Sequence, residues 1–319
     1  MVDADSDGEV EFEGDEELQK KSQEFFKSLE SKLYDMGVKL ISETEIEKFF
    51  PSIGAGSFGK VYKGKYCNEL IAIKKILLKE DNFDDEELTT KALYDITNEI
   101  KSVAYVKHDR IPVFHGLWKY KGKYNLIFEF CAGKNLKDAY PKLTEKQKLE
   151  VILQLSEILH ILHTKHLIHR DIKPANIMID ENFKLKLIDF GVSKISERSR
   201  TFTGDPAGTT RFMAPDYFQI DEYTESDKPI NISSKTDIWS TGCLMSEIFS
   251  GVVPWMNKVK NEMALRRKLM DKVEFPIPEE IVDCDIVAII RKCLNVNPGE
   301  RINAEELMRL VKEKLLKYN

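Results

Sequence analysis

Two carboxylates and an amide stand close together in the chain, in an arrangement suited to phosphoryl transfer. Asp171 ends the run HRD, Asn176 follows five residues later, and Asp189 begins the run DFG after one short predicted strand. Asp171 is suited to orient an acceptor hydroxyl and take its proton, and Lys173 to neutralise charge that develops on a γ-phosphate. Asn176 and Asp189 offer the oxygen ligands that Mg²⁺ prefers, with nucleotide phosphates and waters completing its shell. These residues predict ATP- and Mg²⁺-dependent transfer, against the alternative of a loop with scattered charges.

A glycine-rich turn upstream is suited to binding the phosphates of the nucleotide. The sequence IGAGSFGKVYKG runs from Ile53 to Gly64, and glycine lets the backbone approach phosphate oxygens closely. The same glycine spacing occurs in dinucleotide-binding turns, but there a helix begins at the third glycine, whereas residues 60–65 have a strand pattern. The turn therefore favours a nucleoside triphosphate over a dinucleotide. The predicted phosphate-binding residues are Ile53, Gly54, Ala55, Gly56, Ser57, Phe58 and Gly59.

Lys74 lies on the second strand after this turn and can reach the α- and β-phosphates if a carboxylate holds its direction. Glu99 is the best candidate, because it lies in a helical stretch at residues 93–106 with Val103 four residues later on the same face. Asp95 lies one turn earlier on that face and has a shorter reach. The alternative for Glu99 is a solvent-exposed helix charge.

In combination, these motifs resemble the eukaryotic protein kinase family, serine/threonine type, and the resemblance runs from about Ile46 to Leu316. The run MAPD that ends at Asp216 resembles the family's Ala-Pro-Glu element. The run DIWSTG that begins at Asp237 resembles its central helix, and Arg301 resembles the arginine that pairs with Ala-Pro-Glu. Loop sequences such as GVVPW resemble those of the tyrosine-kinase-like group.

The resemblance implies an α+β, bilobal kinase fold with ATP in the cleft between the lobes. A small lobe of antiparallel sheet with one main helix would span residues 46–130, and a larger, mostly helical lobe residues 133–319. Residues 129–132 would form the hinge, with the backbone of Glu129 and Cys131 bonding the adenine and Phe128 closing the rear of the pocket. The residues expected to sandwich the adenine ring are Val61, Ala72 and Met178.

The resemblance also implies a stack of side chains across the lobes, anchored by Asp237. Its expected members are Val103, Phe114, His169 and Phe190. One departure is Asp216, which stands where the family has glutamate. Because its side chain is one methylene shorter, we expect its pair with Arg301 to be stretched or bridged by water.

Lys173 and Thr209 predict which hydroxyl accepts the phosphate, because both resemble the residues at these positions in serine/threonine kinases. In those kinases the threonine hydroxyl bonds the catalytic aspartate and lysine. Dual specificity stays open as an alternative. Relatives that prefer arginine before the acceptor carry acidic residues at the positions of Asn135 and Ala175. Neither residue is acidic here, so we expect no strong preference for basic sites.

Control is expected from the activation segment between Asp189 and Asp216. In the family, an arginine in the position of Arg170 needs an anion from this segment, and a phosphate would order the segment through charge-assisted bonds. Asp205 could partly replace such a phosphate, or simply begin a turn with Gly204 and Pro206. The candidate phosphorylation sites are Ser193, Ser196, Ser199, Thr201 and Thr203.

Length and composition indicate one two-lobed unit of 319 residues with a net charge of −6. The scattered lysines argue against a nucleic-acid surface. Five cysteines without CxxC spacing suit a reducing compartment, so we expect a cytoplasmic protein, with the nucleus as an alternative. We expect neither a signal peptide nor a membrane span, because the first residues are acidic and no apolar run is long enough.

The N-terminal residues differ in composition from the rest. Residues 1–17 contain acids without lysine or arginine and are predicted to be a disordered tail. Residues 18–45 are predicted to be an amphipathic helical extension that ends near Gly37 and packs on the small lobe. A partner-docking helix at residues 18–36 is the alternative. Its apolar residues are Leu18, Phe25, Phe26, Leu29, Leu33 and Met36.

Two other functions compete with an active protein kinase that acts on protein substrates. A kinase-fold scaffold or locked pseudokinase would be expected to lack a catalytic residue, and none is missing here. A small-molecule kinase would lack the MAPD and DIWSTG elements. Neither alternative is favoured by the sequence.

Overall fold

The structure is a computed structural model that describes residues 16–56, 59–76, 86–120, 123–190, 194–195, 210–218 and 232–318. Its N-terminal part is built on a seven-stranded sheet. The strands are β1 (Leu40–Ile41), β2 (Ile46–Lys48), β3 (Gly54–Gly56), β4 (Gly59–Tyr66), β5 (Glu69–Lys75), β6 (Phe114–Tyr120) and β7 (Lys123–Glu129). Their order is β1-β6-β7-β5-β4-β2, with β3 paired to β4. β1 is parallel to β6, and the other pairs are antiparallel.

β4 forms at the third glycine of the glycine-rich turn, as the strand pattern predicted. Tyr62, Gly64 and Tyr66 are buried, while the residues between them are only partly buried. This alternation is what a strand with one face on a core produces, because successive side chains point to opposite faces. The helix that a dinucleotide-binding turn requires is therefore absent from residues 59–66.

Two long helices pack on this sheet, α1 (Glu16–Asp35) and α2 (Glu86–Tyr105). α1 begins at Glu16, two residues before the predicted start of the helical extension at residue 18. It ends at Asp35, just before Gly37, whose φ of 69° suits glycine. Residues 40–41, which were included in the predicted helical extension, instead form β1 and pair with Leu117 and Trp118. Pairing with the β6 backbone takes these two residues into the sheet.

The C-terminal part is mostly helical, with one large apolar core. Its helices are α3 (Leu136–Ala139), α4 (Glu145–Thr164), α5 (Lys235–Ser250), α6 (Glu262–Met270), α7 (Cys284–Cys293) and α8 (Ala304–Leu316). Two small sheets join them, formed by β8 (Lys134–Asn135), β9 (Leu167–Ile168), β10 (Ile177–Ile179), β11 (Leu185–Leu187) and β12 (Lys194–Ile195). Among the residues described, no helix combines the length and the apolar character needed to cross a membrane. This division into a sheet-rich lobe and a helical lobe confirms the predicted α+β, bilobal fold.

Helix ends in the C-terminal lobe are capped by polar side chains at their starts and, in α5, by a glycine at its end. Thr144 and Gln147 form a reciprocal capping box at the start of α4. The side chains of Asn261 and Asn303 accept from the first turns of α6 and α8. Gly251 ends α5 with a φ of 74°.

α5 is the most deeply buried helix of this lobe and packs directly on α7. A Cβ atom at Gly242 would lie 2.8 Å from the Cβ of Cys293, so glycine permits this close approach. Glu247, also on α5, is only 4% exposed. Burial raises the pKa of Glu247 to about 7, although Lys137 opposes this shift.

The raised pKa of Glu247 predicts a pH-dependent stability. The folded state favours the protonated carboxyl. The stabilising contribution of Glu247 to the free energy of unfolding is therefore fully present below the ordinary pKa of 4.5 and is lost as the pH rises through about 7. We expect the wild type to lose about 3 kcal/mol of unfolding free energy between pH 4.5 and pH 7.5, relative to Glu247→Gln. Urea unfolding of both proteins at the two pH values measures this difference. A difference that does not change with pH would contradict the assignment.

Candidate active site

The predicted catalytic loop lies between β9 and β10 and is anchored on α5. The backbone N–H groups of His169 and Arg170 donate to the Asp237 carboxylate at 2.9 and 2.8 Å. His163 contributes a third hydrogen bond of 2.9 Å to the same carboxylate. Burial by itself raises the pKa of Asp237, but the bonds from His163 and the backbone hold the pKa below its ordinary value. A buried, ionised carboxylate therefore fixes the backbone that leads into Asp171.

Asp171, Lys173 and Asn176 are brought into direct contact. Lys173 Nζ lies 2.9 Å from Asp171 Oδ2, and Asn176 Nδ2 donates to the same oxygen at 2.7 Å. Asn176 Nδ2 also donates to the Asp171 backbone carbonyl at 2.9 Å. Because the amide nitrogen is used in these bonds, Asn176 Oδ1 is the atom left to face a ligand.

The second predicted metal ligand, Asp189, lies opposite Lys74. Lys74 Nζ donates to Asp189 Oδ1 at 2.9 Å, and both side chains are largely buried. Burial by itself raises the pKa of Asp189, but the Lys74 ammonium outweighs it and keeps the pKa below its ordinary value. Asp189 is therefore an ionised carboxylate close to the N-terminal lobe, as a cation ligand needs to be.

Glu99, the predicted partner of Lys74, lies on α2, but its side chain is outside the part of the chain that the structure describes. The same holds for Asp95, the weaker candidate. Thr209 and the tip of the glycine-rich turn, Ser57 and Phe58, also fall outside the described residues. The Lys74–Glu99 pair and the Thr209 hydrogen bonds stay predictions.

The remainder of the glycine-rich turn is a hairpin of β3 and β4. Gly54 pairs with Val61, and Gly56 pairs with Gly59. The Ile53 N–H donates to the Val61 carbonyl at 2.8 Å, which extends the hairpin by one residue. The turn thus carries regular strand pairing up to its tip, and Val61 lies across from Lys74 in the adjoining β4–β5 pair.

The residues predicted to contact adenine lie on adjoining strands of the N-terminal lobe and on β10. Ala72 pairs with Phe128 across β5 and β7, and the Phe128 ring packs against Phe114 at 5.2 Å. Val61, Ala72, Phe128 and Met178 are all partly buried, as expected for residues beside a ligand cleft. Met178 comes from the C-terminal lobe, on β10.

The hinge has a side-chain bridge that the sequence did not reveal. Both carboxylate oxygens of Glu129 contact Lys186 Nζ, at 2.6 and 2.7 Å, and one also accepts from the Val113 N–H at 3.2 Å. Lys186 lies on β11, so Glu129 connects the two lobes. At Gly133, whose φ is 111°, a Cβ would lie 2.0 Å from the Ile179 carbonyl oxygen, so only glycine lets the chain pass β10 here. The bridge between Glu129 and Lys186 joins residues that are too far apart in the chain for their spacing to indicate it.

Comparison with known proteins now decides the family. A model of the protein kinase domain matches residues 48–311, most of the chain. The chain belongs to the protein kinase family. This confirms the family predicted from the motifs.

Individual relatives agree with this family. A mitogen-activated protein kinase kinase kinase of Arabidopsis thaliana, ANP1, is 31% identical over 81% of this chain and 38% of its own length. A putative serine/threonine-protein kinase/receptor of Acanthamoeba polyphaga mimivirus, R826, is 30% identical over 82% of this chain and 15% of its own length. CBL-interacting protein kinase 10 of Oryza sativa is 30% identical over 84% of this chain and 56% of its own length. The chain therefore spans less than two thirds of the relatives it matches.

In the kinase domain, Arg170 is partly buried and precedes Asp171 in the catalytic loop. Its Nε atom is buried and has no hydrogen-bond partner among the described residues. Burial lowers the pKa of Arg170, while Tyr217, Asp237 and Tyr94 oppose this shift. Neither tyrosine was singled out by sequence reasoning, because Tyr94 lies on α2 and Tyr217 in a 3-10 helix at Pro215–Phe218. The predicted regulatory residues Ser193, Ser196, Ser199, Thr201, Thr203 and Asp205 lie outside the described residues.

The pair between Asp216 and Arg301 differs from the prediction. We expected a stretched or water-bridged contact, but Arg301 Nη2 donates directly to Asp216 Oδ2 at 2.8 Å. Arg301 is held in place by the carbonyls of Asn295 and Lys235, at 2.9 and 2.8 Å, and it lies over the Trp239 ring. The backbone of the kinase domain brings Asp216 close enough that the shorter side chain reaches. The expectation of a loosened pair was therefore wrong.

The direct pair predicts that aspartate suits this site better than the glutamate of the family. Asp216→Glu would add a methylene to a buried site and should lower the free energy of unfolding by about 1–3 kcal/mol. Asp216→Asn would leave the buried Arg301 charge without its partner and should cost about 3–5 kcal/mol. Urea unfolding measures both, with the exposed Asp271→Asn as the control. A stabilising effect of Asp216→Glu would contradict the direct pair.

Proposed function

We propose that this chain is an ATP- and Mg²⁺-dependent serine/threonine protein kinase that transfers the γ-phosphate of ATP to hydroxyl groups of proteins. The observation that carries the proposal is the bonded set of Asp171, Lys173 and Asn176, at 2.7–2.9 Å, next to the Lys74–Asp189 pair. This set combines a base, two cations and two cation ligands, which are the groups that phosphoryl transfer uses. The contact of Lys173 with Asp171 and the names of several relatives support serine and threonine as acceptors.

The chemistry can be assigned to individual side chains. Asp171 accepts the proton of the acceptor hydroxyl while that oxygen forms its bond to the γ-phosphorus and the bond from phosphorus to ADP breaks. Lys173, bonded to Asp171, stabilises the negative charge on the transferred group. Asn176 Oδ1 and the Asp189 carboxylate fit Mg²⁺, since both are hard oxygen donors. When bound, the ion would neutralise phosphate charge.

The adenine is proposed to bind at the hinge through the backbone. The Glu129 N–H already donates to the Val113 carbonyl at 2.8 Å, so we assign the adenine amino group to the Glu129 carbonyl, whose other contact is a long one of 3.9 Å from the Cys131 thiol. The backbone of Cys131 would supply the second contact. Burial raises the pKa of the Cys131 thiol to about 12, so it stays protonated near neutral pH and is a poor nucleophile.

Regulation is proposed to act through Arg170. A partly buried guanidinium whose buried Nε has no hydrogen-bond partner among the described residues suits an anion from the activation segment. A phosphate at one of the candidate sites would supply that anion, and the Asp205 carboxylate would supply part of its charge.

We also propose a cytoplasmic or nuclear location, because all five cysteines are free thiols.

The test of catalysis is phosphate transfer by the purified protein to itself and to generic serine/threonine and tyrosine acceptors, with ATP and Mg²⁺. Asp171→Asn should lower kcat by about 10²–10⁴-fold, because the base is lost. Lys74→Met should also abolish most activity, since the phosphates lose their cation. Label on serine or threonine that disappears in both variants would support the proposal. Silence from folded, ATP-binding wild type would favour a scaffold or locked kinase.

The contribution of Asp205 is tested separately, on phosphatase-treated protein. Asp205→Ala should lower the basal kcat several-fold, because Arg170 loses the carboxylate that substitutes for phosphate. Asp205→Glu, which keeps the charge, is the matched control. Unchanged basal activity in Asp205→Ala would mean that Asp205 only begins a turn.

A further inference from the structure

We propose that α1 is a positioning element of the active site, which sets the place of α2 and therefore of Glu99. The proposal rests on the proposed function, in which Glu99 directs Lys74 toward the phosphates. It concerns a helix that precedes the region matched by the kinase model.

α1 presents one apolar stripe that is completely covered. Phe25, Leu29 and Leu33 follow one another at four-residue spacing and are 3%, 0% and 2% exposed. Residues at this spacing lie one above the other on a single helix face. The exposed neighbours on the opposite face include Lys27 and Ser28. α1 is therefore an amphipathic helix, and these three residues of its apolar face are buried within this chain.

The stripe on α1 packs against a matching stripe on α2. Leu93, Ile96 and Ile100 of α2 share one apolar core with the three residues of α1. These α2 residues are 7%, 3% and 0% exposed. Without α1, this core would lose three of its large side chains and α2 would expose part of its stripe to water.

α1 is also tied to the sheet, so that its own position is fixed. The Phe26 ring stacks on Tyr124 at 4.3 Å with an interplanar angle of 17°. Glu30 accepts hydrogen bonds from the Tyr124 hydroxyl and, at 3.5 Å, from Lys119 Nζ. Because Tyr124 lies on β7, the strand next to β5, α1 connects α2 to the sheet that carries Lys74.

The two halves of α2 belong to different cores. Val103, near the C-terminal end of α2, and Val106, just beyond it, belong to the large core of the C-terminal lobe. Ile96 and Ile100 flank Glu99 in sequence and belong to the core that α1 completes. A change in that core would tilt α2 about its C-terminal anchor and move Glu99 relative to Lys74. Of the residues proposed to bind adenine, Phe128 packs against this core, whereas the hinge residues 129–132 are not part of it, so ATP binding should change less than turnover.

The experiment uses the full chain with Leu29→Ala, Leu29→Met and the exposed control Lys27→Ala. We expect kcat of Leu29→Ala to fall about tenfold while KM for ATP changes by less than about twofold. Leu29→Met nearly conserves the volume of the side chain and should therefore retain most of the activity that Leu29→Ala loses. Lys27→Ala should match the wild type. Wild-type kcat in Leu29→Ala would overturn the proposal.

Hydrogen exchange separates positioning from general destabilisation and does not need kinase activity. In Leu29→Ala, the amides of α2 should exchange faster while those of α4 keep their protection. Equal loss of protection in α2 and α4 would show a purely structural role and overturn the proposal. If Leu29→Ala does not fold, Glu30→Gln, which weakens only the polar tie to Tyr124 and Lys119, replaces it with the same expected pattern. An inactive wild type would refute the proposed function alone, because the exchange of α2 would still test the coupling.

Discussion

The catalytic loop depends on the buried Asp237 carboxylate at the start of α5. Removing a carboxylate from water is costly, and the cost is offset only when hydrogen bonds replace the lost water. Asp237 accepts bonds from two consecutive backbone N–H groups and one from His163. These bonds hold Arg170 at a φ of 70°, a left-handed conformation that is unfavourable for a side chain with a Cβ. The geometry of Asp171 therefore follows from a charge on a helix that takes no part in the chemistry.

The same anchor supports the contacts between the lobes. His169, whose backbone is bound to Asp237, packs edge-on against the Phe190 ring at 4.8 Å. Phe190 and Val103 belong to one apolar core, and Phe114 packs against both that core and the core shared by α1 and α2. The predicted stack of Val103, Phe114, His169 and Phe190 thus lies where the cores of the two lobes meet. A displacement of α2 would change the contacts at this junction as well as those at Lys74.

The sequence allowed the catalytic loop and the strand after the glycines to be predicted, because both depend on neighbouring residues. HRD and the asparagine that follows lie within eight residues, and a glycine hairpin that continues as a strand shows alternation locally. The contacts that escaped prediction join distant segments. Lys186 meets Glu129 only because β11 lies beside the hinge, and Tyr217 lies near Arg170 only because of the turn after the activation segment. The prediction of a stretched Asp216–Arg301 pair was wrong because it considered only the length of the side chain. The backbone brings Asp216 close enough for the shorter side chain to reach Arg301.

The two halves of the active site are held by different forces, and this difference affects which half can move. On the C-terminal side, Asp171, Lys173, Asn176 and Asp237 are held by directional hydrogen bonds of 2.7–2.9 Å, which allow little displacement. On the N-terminal side, the contacts described between α2 and α1 are apolar, and such contacts lack direction and tolerate small shifts. Lys74 belongs to the sheet, and its bond to Asp189 joins the two halves. Adjustment of this kinase domain is therefore expected in the placement of α2 rather than in the catalytic loop, and α1 is the element that contacts α2 from outside the matched region.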